Sequence, residues 1–224
     1  MPLHYQAPLE VVTREPARNS VIWLHGLGAN GYDFLPIVDE LNANPLPATR
    51  FVFPHAPEQA VTLNGGYIMP SWYDIMGLHD QAVEDEIGLR ESIRYVERLI
   101  AHEIERGIAP QHIVLAGFSQ GGNVALNCAL RYPEPLAGTL ILSAYLGLKN
   151  LLPAEASKAN HVLPIFMAHG TQDDIVPYAF ASNSRDTLQQ IGYAVEWHPY
   201  PMAHTVSTAE IADIGDWLRS VLAD

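Results

Sequence analysis

Apolar residues in this chain fall into short unbroken runs, separated by longer stretches with helical spacing. The runs at 21–24, 51–53, 113–116, 140–142 and 163–168 have strand length and do not alternate with polar residues. Continuous runs of this kind suit strands covered on both faces, as in a parallel sheet. Between them, 34–41 reads as a short helix and 84–105 as a long one. In the long one Ile87, Ile93, Val96, Ile100 and Ile104 recur mostly three or four residues apart. Gly107 and then Pro110 stop that helix. Further helices are expected at 124–130, 179–190 and 210–222. A late strand at 193–198 alternates Ala194 and Glu196 against Val195 and Trp197, and 9–13 reads as an edge strand. Strands alternating with helices predict an α/β fold with a doubly wound, mostly parallel sheet and helices on both faces. Ligands of such sheets bind beyond the carboxyl ends of the strands, so the residues just after each strand are where chemistry is sought.

Composition narrows the picture. With 48% hydrophobic and 17% charged residues, the 224-residue chain can bury a sizeable core. It shows no repeat or long linker, and is read as a single domain over residues 1–224. Twelve Lys and Arg stand against 25 Asp and Glu, a net charge of −13 without a basic run. Such a surface repels phosphate backbones and anionic bilayers, which argues against nucleic-acid and stable membrane partners. The single Cys128 excludes an internal disulfide framework and a multi-cysteine metal site. No basic-then-apolar leader opens the sequence, Pro2 stands where myristoylation requires glycine, and no apolar run reaches 18 residues. A cytoplasmic protein is the expectation.

The turn after 113–116 reads Gly117-Phe118-Ser119-Gln120-Gly121-Gly122. A G-x-S-x-G sequence between strand and helix holds its serine in strained geometry with the hydroxyl exposed, and the flanking positions must be very small. A phosphate-binding loop would place Lys before Ser or Thr, and none is present. Ser119 is therefore the candidate nucleophile. A serine hydroxyl needs a histidine to take its proton, and that histidine needs an acid to orient it. On this kind of fold the chain order is Ser, acid, His. His161, His169, His198 and His204 follow Ser119. His161 lies in a polar loop, His169 precedes the acid candidates, and His198 sits inside a strand. His204 follows the last strand and opens a helix, so it is the candidate base. The acid falls in the turn after 163–168, where Asp173 and Asp174 are adjacent and residue type alone does not separate them.

Acyl transfer also needs two donors for the developing oxyanion. The amide of Gln120, just after the nucleophile, is one. The turn after 21–24, His25-Gly26-Leu27-Gly28-Ala29-Asn30-Gly31, offers the other at Leu27, with His25 as a loop-organising hydrogen bonder. The same glycines formally match a dinucleotide fingerprint, but 48–57 lacks the acid that would hold a ribose.

Residues 54–83 show no clear periodicity, and a connection of that length is usually functional. They carry Tyr67, Ile68, Met69, Trp72, Tyr73, Ile75, Met76 and Leu78, and read as a lid or substrate-lining insertion. Met69, Trp72, Tyr73 and Met76 are the candidate substrate-binding residues. Asn64-Gly65-Gly66 reads as a tight turn. Cys128 is a small core residue at helical spacing, and Glu84-Asp85-Glu86 a solvated helix start. No metal or cofactor is implied, since no HExxH-type spacing occurs.

These stretches resemble the phospholipase/carboxylesterase family of α/β-hydrolases, which includes the acyl-protein thioesterases, and the first turn and Phe53-Pro54-His55-Ala56-Pro57 look more like its bacterial carboxylesterases. The resemblance rests on Trp23-Leu24-His25-Gly26-Leu27-Gly28, Phe53-Pro54-His55-Ala56-Pro57 and Val61-Thr62-Leu63-Asn64-Gly65-Gly66-Tyr67. It continues through Trp72-Tyr73-Asp74, Leu115-Ala116-Gly117-Phe118-Ser119-Gln120-Gly121-Gly122 and Ile141-Leu142-Ser143-Ala144-Tyr145-Leu146. It ends with His169-Gly170 through Val176-Pro177 and with Met202-Ala203-His204. It implies an α/β-hydrolase fold and favours Asp173 over Asp174, since the family's aspartate follows the His-Gly glycine by three residues. Ala29 and Asn30 stand where family members often carry an aspartate. Members are often homodimers, and the likeness extends that expectation here. The activity implied is that of a serine carboxylesterase acting on short- to medium-chain esters through an acyl-serine. Acyl-protein thioesterase or lysophospholipase action is the near alternative. A non-catalytic binding module is disfavoured because serine, acid and histidine are all present.

Overall fold

The computed structural model describes residues 4–77 and 82–223. Its strands are β1 (Leu9–Val12), β2 (Asn19–Leu24), β3 (Thr49–Phe53), β4 (Glu58–Val61), β5 (Tyr67–Pro70), β6 (Ile113–Phe118), β7 (Gly138–Leu142), β8 (Ile165–Gly170) and β9 (Val195–Tyr200). The helices are α1 (Ile37–Leu41), α2 (Glu86–Glu105), α3 (Gln120–Arg131), α4 (Leu152–Glu155), α5 (Tyr178–Gln190) and α6 (Thr208–Val221). Seven strands form the main sheet in the order β1-β3-β2-β6-β7-β8-β9. Only the edge strand β1 runs antiparallel, against β3; every other pair is parallel.

The unbroken apolar runs are explained by two cores, one on each face. Along β2, Ile22 and Leu24 join the core beneath α2 and α3, while Val21 and Trp23 join the core beneath α1 and α6. Each is at most 1% exposed. Complete burial of such a side chain stabilises by about 1.5–3 kcal/mol. The long helix α2 starts at an Asp85 cap that accepts from the Gly88 amide. Glu84 accepts from the Leu148 amide, so this acidic start is tied down rather than simply solvated. Cys128 is buried in the core under α3.

Two expectations need correction. Residues 54–83 contain an antiparallel hairpin of β4 and β5, joined through Gly65 and Gly66 at φ 67° and 80°. Its four-residue strands are too short to display a period. The last strand is displaced from 193–198 to Val195–Tyr200 and includes Pro199. A strand that pairs on one side only tolerates a residue without an N–H.

Strand order reverses between β2 and β6. The crevice beyond the carboxyl ends of those two strands is where the turns holding Leu27 and Ser119 meet. No helix among the described residues is long and apolar enough to cross a membrane.

Candidate active site

Ser119 occupies the junction of β6 and α3 with φ 52° and ψ −121°. An L-residue held there costs roughly 1–3 kcal/mol and persists only when its surroundings over-determine it. They do so through the Ser119 amide, which donates to Leu142 O at 2.8 Å, and its carbonyl, which accepts from the Asn123 amide at 3.2 Å. Close packing adds to this. A methyl group on Gly117 would stand 2.4 Å from Gly121 backbone, and one on Gly121 would stand 2.4 Å from the His25 carbonyl oxygen. The start of α3 is thus pressed against the ends of β6 and β2, at a distance only glycine permits.

His204 approaches from the other side of the sheet end. Its loop is pinned by Gln172 N–H donating to Met202 O at 3.0 Å. It lies so close to the end of β8 that a Cβ on Gly170 would meet Met202 O at 2.3 Å. Beyond the loop, α6 begins with a reciprocal capping box between Ser207 and Glu210. The His204 ring packs on Phe118 with centroids 4.8 Å apart. Its Nε2 is 3.0 Å from Ser119 Oγ and its Nδ1 is 2.6 Å from Asp173 Oδ2.

The Asp173 side chain is completely buried. Its Oδ1 accepts from the Ile175 and Val176 amides at 3.0 and 2.8 Å, leaving Oδ2 to face His204. Asp174, one residue on, is exposed and points to the rim of the cleft. The structure therefore separates two carboxylates that residue type alone left equal. His169 also lies against Asp173 Oδ2, with its Nε2 2.8 Å from Val176 O and 3.3 Å from that oxygen. Burial pushes its pKa down, partly countered by the Val176 carbonyl and the Asp173 charge. His198 is on β9 and bonds to Glu196 at 2.8 Å, while His161 lies on the surface near Tyr193.

The turn after β2 is organised by His25. Its Nδ1–H donates to Gly26 O at 2.7 Å and its Nε2 accepts from the Ala56 amide at 3.0 Å. Burial holds its pKa down at about 4, so the ring is neutral and fixed in one tautomer at pH 7. Among the described residues the Leu27 amide meets no acceptor. The Gln120 amide opens α3, where the first N–H groups have no intrahelical partner.

A cleft of about 750 Å³ opens over Ser119, with walls that include Leu27, Phe118, Tyr145, Ile175 and Val206. A second depression of about 200 Å³ adjoins it across Tyr73, Ile75 and Tyr145. The expected lining residues divide. Tyr73 reaches both depressions and Met76 the second. Met69 is half-buried and lies beside Gly28. Trp72 is 0% exposed and lines neither, which corrects the expectation that it meets substrate. Leu78 falls outside the described residues. Tyr145 and Ile175 went unnoticed as wall residues, although both follow strand ends, where a ligand should sit.

Known proteins resemble this chain over most of its length. The family model described as Phospholipase/Carboxylesterase matches residues 8–222. Acyl-protein thioesterase 1 of Yarrowia lipolytica is 37% identical over 205 residues, 89% of this chain and 90% of that protein. The crystal structure of Arabidopsis thaliana SOBER1 superposes with a TM-score of 0.87 at 30% identity, covering 92% of this chain and all of that one. Acyl-protein thioesterase 2 of Zea mays superposes with a TM-score of 0.84 at 27% identity, covering 96% and 99%. The chain belongs to the phospholipase/carboxylesterase family of α/β-hydrolases and is a carboxylic ester hydrolase.

Proposed function

We propose that this protein is a serine carboxylesterase that cleaves short- to medium-chain esters through an acyl-serine on Ser119. The observation carrying this reading is the continuous hydrogen-bonded chain from Ser119 through His204 to Asp173, at 3.0 and 2.6 Å, on the floor of an open cleft. His204 Nε2 takes the hydroxyl proton as Ser119 Oγ attacks the acyl carbon. Asp173 holds the Nδ1–H tautomer and balances the imidazolium that forms. The oxyanion of the tetrahedral intermediate receives the Leu27 and Gln120 amides, helped by the N-terminal dipole of α3. Collapse expels the alcohol or thiol, which takes the proton from His204. Water then enters by the same route in reverse and frees the acid.

Thioester cleavage on acylated proteins is the second reading, favoured by the Yarrowia lipolytica relative's name. The lining of the cleft over Ser119 contains Asp33 and Asp174 and, among the described residues, no Lys or Arg; Lys149 lines only the adjoining depression. Binding energy therefore comes from the acyl side, and neutral esters should outrun lysolipids with anionic headgroups.

The test is a rate series on p-nitrophenyl esters from acetyl to octanoyl beside an acyl-peptide thioester, with the wild type and Ser119→Ala. Each buried CH₂ contributes about 0.8 kcal/mol, close to a fourfold rise in kcat/KM per methylene until the cleft is full. A fluorophosphonate should add one equivalent to the wild type and none to Ser119→Ala. Retained turnover in Ser119→Ala refutes the mechanism. A flat length profile refutes acyl-side binding, and a thioester preferred over every ester selects the second reading.

A further inference from the structure

The Leu27 and Gln120 amides lie on separate elements, and a two-donor oxyanion hole works only if their separation is fixed. Both are backed by the same buried stretch, Ser71-Trp72-Tyr73. The Trp72 indole Nε1–H donates to His25 O at 2.8 Å, and its backbone N–H donates to Gln120 Oε1 at 2.9 Å. The Gln120 carboxamide answers with Nε2–H bonds to Tyr73 O at 2.6 Å and to Ser71 Oγ at 2.9 Å. Ser92 of α2 donates to the Trp72 carbonyl and moors the stretch to the core. On the other side, His25 holds Gly26 O at 2.7 Å. That carbonyl belongs to the same planar peptide as the Leu27 N–H, so fixing one aims the other in the opposite direction.

We propose that the Trp72 indole N–H and the Gln120 carboxamide are positioning residues that lock the two oxyanion donors at their working separation. This rests on the assignment of those donors given above. Trp72 acts through His25 and touches no substrate, being fully buried behind the cleft. The Gln120 side chain is also buried, at 2% exposure, so a direct contact with substrate does not explain its full set of hydrogen bonds. The same residue thus supplies one donor from its backbone and the tie to the other from its side chain.

The test uses Trp72→Phe, which keeps an aromatic ring and deletes the N–H, and Gln120→Met, which keeps length and deletes the amide. Each should lower kcat by roughly 10–100-fold, less than the 10²–10³-fold expected for losing a donor outright. KM should stay within about threefold of wild type. A trifluoromethyl ketone, to whose carbonyl Ser119 adds to give a bound oxyanion, should lose affinity by the same factor as kcat/KM. Fluorophosphonate labelling should still reach one equivalent, at a slower rate. The proposal is overturned if both variants keep wild-type kcat, if kcat falls without a matching loss of ketone affinity, or if both variants fail to fold. Turnover surviving in Ser119→Ala would instead refute the underlying mechanism, so the two failures are distinguishable.

Discussion

Asp173→Asn changes one atom, and the structure specifies what that atom does. Oδ1 is held by two amide donors, Ile175 N–H at 3.0 Å and Val176 N–H at 2.8 Å. An asparagine must leave its oxygen there, because the reverse orientation would aim its NH₂ at two N–H groups. The NH₂ therefore takes the place of Oδ2, 2.6 Å from His204 Nδ1. It donates to Nδ1, which forces the ring proton onto Nε2, the atom 3.0 Å from Ser119 Oγ. A protonated Nε2 cannot accept the serine proton. The expected loss in kcat is about 10³–10⁴-fold, equivalent to roughly 4–5.5 kcal/mol of barrier. Asp174→Asn alters an exposed rim carboxylate and should cost less than about tenfold. Steady-state kcat on p-nitrophenyl butyrate, with Ser119→Ala as the floor, measures all of these. A loss under tenfold for Asp173→Asn, or an equal loss for both variants, refutes the tautomer argument.

Two further outcomes follow from packing and burial. Gly121→Ala should lower both activity and Tm, because its methyl group would stand 2.4 Å from the His25 carbonyl oxygen and overpacking costs about 1–3 kcal/mol; wild-type Tm and kcat would show that α3 is not pressed against β2. Burial raises the Glu210 carboxyl from its ordinary 4.5 to about 7, so its contribution is fully present below pH 4.5 and is lost as pH rises through about 7. Burial of His25 works oppositely: its contribution is present above 6.5 and lost as pH falls through about 4. Removing the first term with Glu210→Gln takes away its opposition to the second, and the variant's Tm should fall more steeply on acidification than the wild type's. Each term is on the order of 3 kcal/mol, and parallel Tm curves for the two proteins would contradict this.

The fold was legible where a residue's surroundings repeat along the chain. Unbroken runs such as Val21-Ile22-Trp23-Leu24 marked strands because both faces of the sheet are covered, which removes alternation altogether. The long α2 stood out for the opposite reason, since one face is buried and the other wet. Legibility failed where an element is short or sits at an edge. The hairpin of β4 and β5 leaves Tyr67 and Ile68 at 69% and 63% exposure, so its apolar residues report neither a core face nor a period. The start of α3 was hidden by Gly121 and Gly122, which read as turn residues but form its first turn, Gly121 packed against the end of β2 and Gly122 against Gly117 and Ala144.

The candidate site divides along a similar line. Ser119 and the amide of Gln120 were readable because the strained turn that exposes them is encoded within six consecutive residues. Choosing between Asp173 and Asp174 needed either a resemblance or the fold, since the difference is made by the amides of Ile175 and Val176 and by a histidine 31 residues away. Trp72 was misread most. An aromatic residue in a segment without periodicity looks like a pocket wall, because apolar character is visible in a sequence and the bonding of an indole N–H is not. The structure spends that N–H on the His25 carbonyl, 47 residues away, behind the cleft rather than in it. A strained nucleophile turn can be written locally because its geometry is local. The spacing between donors on a loop and on a helix start cannot, and in the arrangement proposed above it falls to buried long-range hydrogen bonds such as this one.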